Sequence, residues 1–245
     1  MQARIERLND RDEGVRAEPA RPRSVNPALL AIALLSAAAA AAIALYVTGH
    51  PFIPQDAAFE RAVQAADWGP LPLSFPVFSF IGDAKGAALE AILFVAILIF
   101  NRRAWLLAAG LSLSAGWYVL ISHLVIRARP TTAQVLRVTE HPGASSFPSG
   151  HTMFIVTIVA VLMLCFGRRY LPRWGQALGW TVGVLLVLAN GISRMYVGVH
   201  WPTDVLAGIL IAVAWICFWV SLRRVSDRAF SSQPAQARGG DGAGR

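Results

Sequence analysis

Charge is scarce in this chain: 15% of its 245 residues are Asp, Glu, Lys or Arg, against about 25% in an ordinary soluble domain. Lysine is nearly absent, Lys85 being the only one. Cysteine is reduced to two residues, Cys165 and Cys217, both inside apolar runs. That argues against a disulfide framework and leaves both as packing residues. The formal net charge of +8 does not point to nucleic acid, because the arginines fall between apolar stretches instead of forming a phosphate-tracking stripe. In place of charge the chain has 56% hydrophobic residues gathered into long runs, the composition of an integral membrane protein.

A helix needs roughly 20 apolar residues to cross the hydrocarbon core, with shorter runs tolerated in bundles. Six candidates meet that need: Pro27–Val47, Gly86–Phe100, Ala104–Ile126, His151–Phe166, Leu178–Ile192 and Asp204–Leu222. The expected fold class is therefore all-α, a six-transmembrane helical bundle with short external loops. The first run is not read as a signal peptide, because its arginine-rich leader is long and no cleavage site follows. The second contains Glu90, a carboxylate expensive to bury in a membrane, read as a helix-pairing or interfacial residue.

The segments outside the spans predict three parts: a disordered tail over 1–26, the six-span domain over 27–222 and a second disordered tail over 223–245. The loop from His50 to Lys85 is punctuated by Pro51, Pro54, Pro70, Pro72 and Pro76, with room for a short amphipathic helix around Ala57–Ala66. With six spans, sixteen of the 22 basic residues fall on the side of the two tails and six (Arg61, Lys85, Arg127, Arg129, Arg137 and Arg194) on the other. The positive-inside tendency places both termini in the cytoplasm, so the loops 127–150 and 193–203 share the external face.

Three clusters meet on that face: Arg129-Pro130, Pro148-Ser149-Gly150-His151, and Ser193-Arg194 followed by His200 and Asp204. Their residue types suit a phosphoryl group. Arg129 and Arg194 offer planar forks of donors matched to phosphate oxygens. Ser149, Gly150 and His151 open a helix, where free N–H groups and the positive dipole end face an anion. His200 and Asp204 are four residues apart, a spacing at which the carboxylate can hold one imidazole nitrogen and leave the other to attack. His151 remains as the acid for the leaving oxygen.

The three clusters, in this order and at these separations, resemble the motifs of the type-2 phosphatidic acid phosphatase and vanadium haloperoxidase superfamily, over roughly residues 105–222. The resemblance implies His200 as a nucleophile forming a phosphohistidine, Asp204 as its orienting carboxylate and His151 as general acid. It implies Arg129, Ser149, Gly150 and Arg194 as phosphate ligands, and no metal or other cofactor. One position departs from the pattern: the family's lysine seven residues before the motif arginine is Ser122 in this chain. On a continuing helix Arg127 lies about 200° around the axis from Arg129, which argues against Arg127 as the replacement cation. Lys85 is a second candidate for that role.

Each residue also has a plainer reading. His151 alone caps a helix, His200 and Asp204 alone form a surface pair, and Arg127, Arg129 and Arg194 alone anchor lipid headgroups. Their joint order on one face favours chemistry. His123 reads as a packing residue, Trp68, Trp105, Trp117, Trp180 and Trp201 as interfacial aromatics, and Glu140 and His141 as a loop pair within reach of a headgroup.

The expected function is a membrane lipid phosphatase acting on a phosphomonoester or pyrophosphate. Phosphatidic acid, phosphatidylglycerol phosphate, undecaprenyl pyrophosphate and lipid A phosphates all qualify as substrates. The expected setting is a bacterial inner membrane, with a lipid phosphate as partner and no nucleic acid. The alternatives are a catalytically weakened lipid-binding or transport relative, for which Ser122 speaks, a lipid phosphotransferase, and, ranked last, a vanadium haloperoxidase.

Overall fold

The computed structural model describes residues 24–231 apart from positions 83 and 141, with backbone alone at 82, 84, 85 and 87. Helix α1 (Pro27–Gly49) starts where Asn26 accepts hydrogen bonds from the amides of Ala28 and Leu29 and Pro27 supplies a preset φ at the first helical position. Helix α2 (Pro54–Ala65) lies in the connecting loop. A turn at Leu71–Ser74 leads into α3 (Phe75–Gly82) and α4 (Ala84–Phe100). After a turn at Arg102–Ala104 come α5 (Trp105–Ser112) and α6 (Ser114–Leu124), which together make one pass. Helix α7 (Gly150–Val161) continues through a wider-wound stretch, Leu162–Gly167, to Tyr170. Helices α8 (Arg173–Tyr196), α9 (Pro202–Ser221) and α10 (Arg223–Phe230) complete the chain.

Five passes have the length and apolar character to cross a bilayer: Pro27–Gly49, Arg102–Leu124, Gly150–Tyr170, Arg173–Tyr196 and Pro202–Ser221. The remaining expected span, Gly86–Phe100, falls in α4, whose 17 residues measure about 26 Å along the axis, short of a hydrocarbon core of about 30 Å. Its ends nevertheless reach both ends of the bundle. Gly86 meets the Phe154 ring in the first turns of α7. At the other end the Phe100 carbonyl accepts from Tyr170 Oη at 2.6 Å, and Asn101 donates to the Cys165 carbonyl at 2.6 Å. The chain is thus a multi-pass helical membrane protein in which five helices, among the described residues, are of full spanning length.

Helices α1 and α9 run antiparallel. The buried residues of α1 are Ala33, Ala40 and Val47, spaced by seven and therefore on one stripe. Their small side chains let the two backbones approach, which in lipid is a main source of helix association. Leu34, Leu35 and Leu45 on the other faces are exposed, as lipid-facing residues should be.

Two expectations about the tails are corrected. Residues 223–230, assigned to a disordered segment, form α10, because Val225 and Ala229 sit one turn apart and pack into the cluster of Ala104, Leu107 and Ala108. Residues 24–26, assigned to the other tail, are tied down as well: the amide of Asn26 donates to the Ser221 carbonyl at 2.8 Å and that of Arg223 to the Ser24 carbonyl at 3.0 Å. The rest of both tails, 1–23 and 232–245, lies outside the described residues.

The expected amphipathic helix in the loop 50–85 is present as α2, starting three residues before Ala57 and ending one before Ala66. Its buried face is acidic: Asp56 and Glu60 point inward with Ala57, Val63 and Gln64. Gln64 uses all its capacity to fix the helix in place. Its amide donates to the carbonyls of Arg137 and Met195, and its oxygen accepts from the amides of Leu136 and Arg137. Helix α2 is thereby bound over the end of the bundle where the three motif clusters emerge.

Candidate active site

The loop between α8 and α9 carries His200, which is 3% exposed. Its Nδ1 lies 2.7 Å from the carbonyl oxygen of Ser146. A carbonyl only accepts, so Nδ1 holds the proton and Nε2 keeps its lone pair. Burial lowers the pKa of this imidazole from its usual value, which favours the neutral form a nucleophile needs. Asp204, in the first turn of α9, is fully buried. Its Oδ2 accepts the amide of Trp201 at 2.9 Å and lies 3.9 Å from His200 Nδ1. At that distance the carboxylate acts on the imidazole through charge, while the Ser146 carbonyl makes the hydrogen bond.

His151, one residue into α7, faces His200: the ring centroids are 6.4 Å apart with the planes at 60°. Both rings line a cavity of about 650 Å3, whose wall also includes Arg129, Gly150, Tyr118, Ser122 and Glu90. Gly150 is required by space, since a Cβ on it would come within 2.7 Å of the Tyr118 ring. The structure thus brings His151, His200, Arg129 and Gly150 to one cavity.

The other expected ligands stand off that wall. Ser149 caps α7, its hydroxyl accepting from the amide of Thr152 at 3.4 Å and from the Thr152 hydroxyl at 2.9 Å, and it is fully buried. Arg194 is fully buried too. It donates to Glu140 at 3.2 Å, to the Ser79 hydroxyl at 2.6 Å and to the Ser193 hydroxyl at 2.9 Å. Arg129 spreads its fork over three carbonyls, those of Gly143, Val199 and Ser145, each at 2.6 Å. That pins the motif loops to one another. Burial lowers the Arg129 pKa from its usual value.

Ser122 stands on the cavity wall with its hydroxyl given to the Val119 carbonyl at 3.0 Å. His123 lines the same wall, and Glu90, read as a pairing residue, does so as well. The Lys85 side chain and His141 lie outside what the structure describes. The helical-wheel argument about Arg127 is corrected. Helix α6 ends at Leu124, so Arg127 and Arg129 sit on non-helical chain and no wheel relates them. Arg127 still does not reach the cavity, because its guanidinium is buried between two carboxylates, those of Asp56 and Asp204, each at 2.6 Å.

Sequence reasoning missed Asp56, Glu60 and the Ser146 carbonyl. The two acids carried one legible signal: they are four apart on the same face of the α2 helix as Ala57 and Val63, where a solvated helix would place apolar residues. The carbonyl carried none. Among the described residues no group of His, Cys, Asp and Glu has the arrangement of a metal site.

The sequence and the fold have counterparts among known proteins. The family model described as the PAP2 superfamily matches residues 87–228. A decaprenylphosphoryl-5-phosphoribose phosphatase of Mycobacterium tuberculosis is 35% identical over 127 residues, 51% of this chain and 65% of that one. An undecaprenyl-diphosphatase of Bacillus subtilis is 32% identical over 129 residues, 50% of this chain and 62% of that one. This chain therefore spans less than two thirds of the length of either relative. The crystal structure of a transmembrane PAP2 type phosphatidylglycerolphosphate phosphatase from Bacillus subtilis superposes with a TM-score of 0.63 at 19% identity, covering 75% of this chain and 92% of that one. At that identity the likeness concerns the fold.

Proposed function

We propose that this chain, which belongs to the PAP2 superfamily, removes a terminal phosphate from a membrane lipid through a phosphohistidine at His200 Nε2. The observation that carries the reading is the pairing of His200 and His151 across one cavity, with the proton of His200 held on the far nitrogen by Ser146. Nε2 attacks phosphorus, and the bond from phosphorus to the leaving lipid oxygen breaks as His151 gives that oxygen a proton. A water then attacks the phosphohistidine, its proton passing to His151, and the N–P bond breaks to release inorganic phosphate.

Arg129, which lines the cavity and would exchange a carbonyl partner for phosphate, and the N-terminal amides of α7 are the donors assigned to the equatorial oxygens. Ser149 and Arg194 act as ligands in this reading once their present partners exchange for phosphate, and Asp204 balances the charge that grows on His200. The reaction as proposed uses these side chains alone, without a metal or other cofactor. The catalytic domain is 27–222, with α10 an appended packing element.

The substrate class follows from the setting. Relatives named for decaprenylphosphoryl-5-phosphoribose and undecaprenyl diphosphate support polyprenyl phosphates and diphosphates as substrates, beside phosphatidic acid and phosphatidylglycerol phosphate. A lipid of either kind keeps its tail in the bilayer while the phosphate enters from the external face. The orientation rests on charge. Arg102, Arg103, Arg168, Arg169, Arg173, Arg223, Arg224 and Arg228 gather at the end of the bundle remote from His200, which by the positive-inside tendency is the cytoplasmic end of an inner-membrane protein.

Phosphate release from these lipids in detergent, wild type against His200→Ala, tests the reading. Release that the substitution abolishes is the expected result. A folded wild type that releases phosphate from no lipid of the panel overturns the reading in favour of a binding or transport role.

A further inference from the structure

Behind His200, on the side away from the cavity, lies a closed ring of buried polar groups drawn from three remote parts of the chain. Arg127 donates through Nη2 to Asp56 Oδ2 at 2.6 Å, and through Nη1 to Asp204 Oδ1 at 2.6 Å and to the Thr203 hydroxyl at 2.7 Å. Thr203 closes the ring onto Asp56, its hydroxyl donating to Oδ2 at 2.6 Å and its amide to Oδ1 at 3.3 Å. Arg127 is 2% exposed, Asp56 4% and Asp204 0%. The Arg127 guanidinium also lies 5.6 Å over the Trp201 ring, and Trp201 Nε1 donates to the Ala128 carbonyl at 2.9 Å. Trp201, Thr203 and Asp204, which follow His200 in the chain, are thus held by this ring or by the stretch of chain that bears Arg127.

A buried ring of this kind is costly unless each charge is compensated. One guanidinium between two carboxylates leaves a single net negative charge. When the Nε2 of an imidazole already protonated at Nδ1 takes a phosphoryl group, the ring becomes cationic, and a fixed negative charge 3.9 Å away at Asp204 stabilises that state without reorganisation. Two observations keep the balance at one charge. Glu60 is fully buried beside Asp56 with neither carboxyl oxygen hydrogen-bonded. Its pKa is pushed up to about 9 by burial and by the Asp204 and Asp56 carboxylates, so it adds no second charge at neutral pH. The other groups that face His200 are Arg129 and His151, both on the cavity side.

We infer that Asp56 and Arg127 are positioning residues for the phosphohistidine step, acting on His200 through Asp204, and that helix α2 is a part of the active site supplied by the external loop. This inference rests on the lipid phosphatase reading given above. Neither residue lines the cavity, so neither touches substrate. Their effect falls on the step in which charge develops on His200, not on lipid binding.

The test is a double-mutant cycle on the full chain purified in detergent, with undecaprenyl diphosphate as substrate and vanadate, which mimics the five-coordinate phosphoryl group, as a binding probe. Asp56→Asn is expected to lower kcat about 10- to 100-fold, to weaken vanadate binding in parallel, and to leave KM within about threefold. Added to Asp204→Asn, it should cost less than about threefold more, since both act on one unit. Arg127→Lys, which keeps the charge and loses the fork, should retain part of the activity that Arg127→Gln loses. A fully active Asp56→Asn, or a double variant that loses the product of the two single effects, overturns the inference while leaving the phosphatase reading intact. A wild type that neither releases phosphate nor binds vanadate overturns both.

Discussion

His200 gives its Nδ1 proton to the carbonyl oxygen of Ser146, 2.7 Å away. The tautomer of the nucleophile is therefore set by the backbone, and Asp204, 3.9 Å from the same nitrogen, is left with an electrostatic task. A backbone acceptor cannot titrate, so the Nδ1–H tautomer is kept wherever the imidazole is neutral.

That division of labour predicts a large kinetic effect for Asp204→Asn. The amide oxygen can still accept the Trp201 amide, while the amide nitrogen meets Arg127 Nη1 donor to donor, so the variant is also expected to lose some thermal stability. The charge that balances a phosphorylated imidazole is gone. kcat should fall about 100- to 10,000-fold, by analogy with orienting carboxylates elsewhere, with KM nearly unchanged. Steady-state kinetics at saturating and limiting lipid check it, and a KM effect larger than the kcat effect would assign Asp204 to substrate binding instead.

Glu60 predicts a stability profile. Its carboxyl ionises near the ordinary 4.5 in the unfolded chain, and burial beside Asp204 and Asp56 pushes it up to about 9 in the folded one. Below 4.5 both states hold the proton and folding carries no penalty from this group. As pH rises from 4.5 to 9 only the unfolded state releases it, so stability falls by at most about 1.4 kcal/mol per pH unit, and above 9 the loss is complete. Glu60→Gln removes that slope. Thermal midpoints in detergent from pH 5 to 9 should diverge, the variant gaining on the wild type as pH rises, whereas parallel curves would show that Glu60 ionises normally.

Gly198, two residues before His200, has φ of +79°, and a Cβ there would lie 2.1 Å from the Arg137 carbonyl oxygen. Alanine at this position meets both a backbone penalty and a clash with main chain that cannot swing away. Gly198→Ala should destabilise the protein by about 2 kcal/mol or more and disorder the loop that carries His200. A thermal midpoint within a degree of the wild type would contradict this.

Much of this architecture was legible because it is local. Asn26-Pro27 announces the start of α1, and Ser149-Gly150-His151 announces that of α7. His200 and Asp204 declare themselves by spacing. The parts that were not legible depend on tertiary contact. Arg127 and Asp56 are 71 residues apart, and nothing in either neighbourhood says that one guanidinium will join two carboxylates. The end of α6 at Leu124, three residues short of Arg127, is equally silent in an apolar run, so the wheel reached a correct conclusion about Arg127 through a helix that is not there. The tail residues Val225 and Ala229 bury only because the cluster of Ala104, Leu107 and Ala108 is there to receive them. Hydropathy along the chain does not register a packing partner 120 residues away.

The last prediction concerns the position where the chain departs from the family pattern. Ser122 lines the cavity, and among the described residues its hydroxyl serves only the Val119 carbonyl one turn back, so its replacement breaks no tertiary bond among them. Meanwhile Arg129 is spread over three carbonyls and Arg194 is paired with Glu140, which leaves the cavity short of mobile cations. Ser122→Lys would place an ammonium on a flexible stem at that wall, free to follow the charge of an entering phosphate. Vanadate and inorganic phosphate should then bind about 10-fold more tightly, an ion pair of about 1.4 kcal/mol in a partly buried site. The gain should shrink as salt is raised. Should affinity stay level at low salt, another group already supplies that charge, and the serine is compensated within the native site.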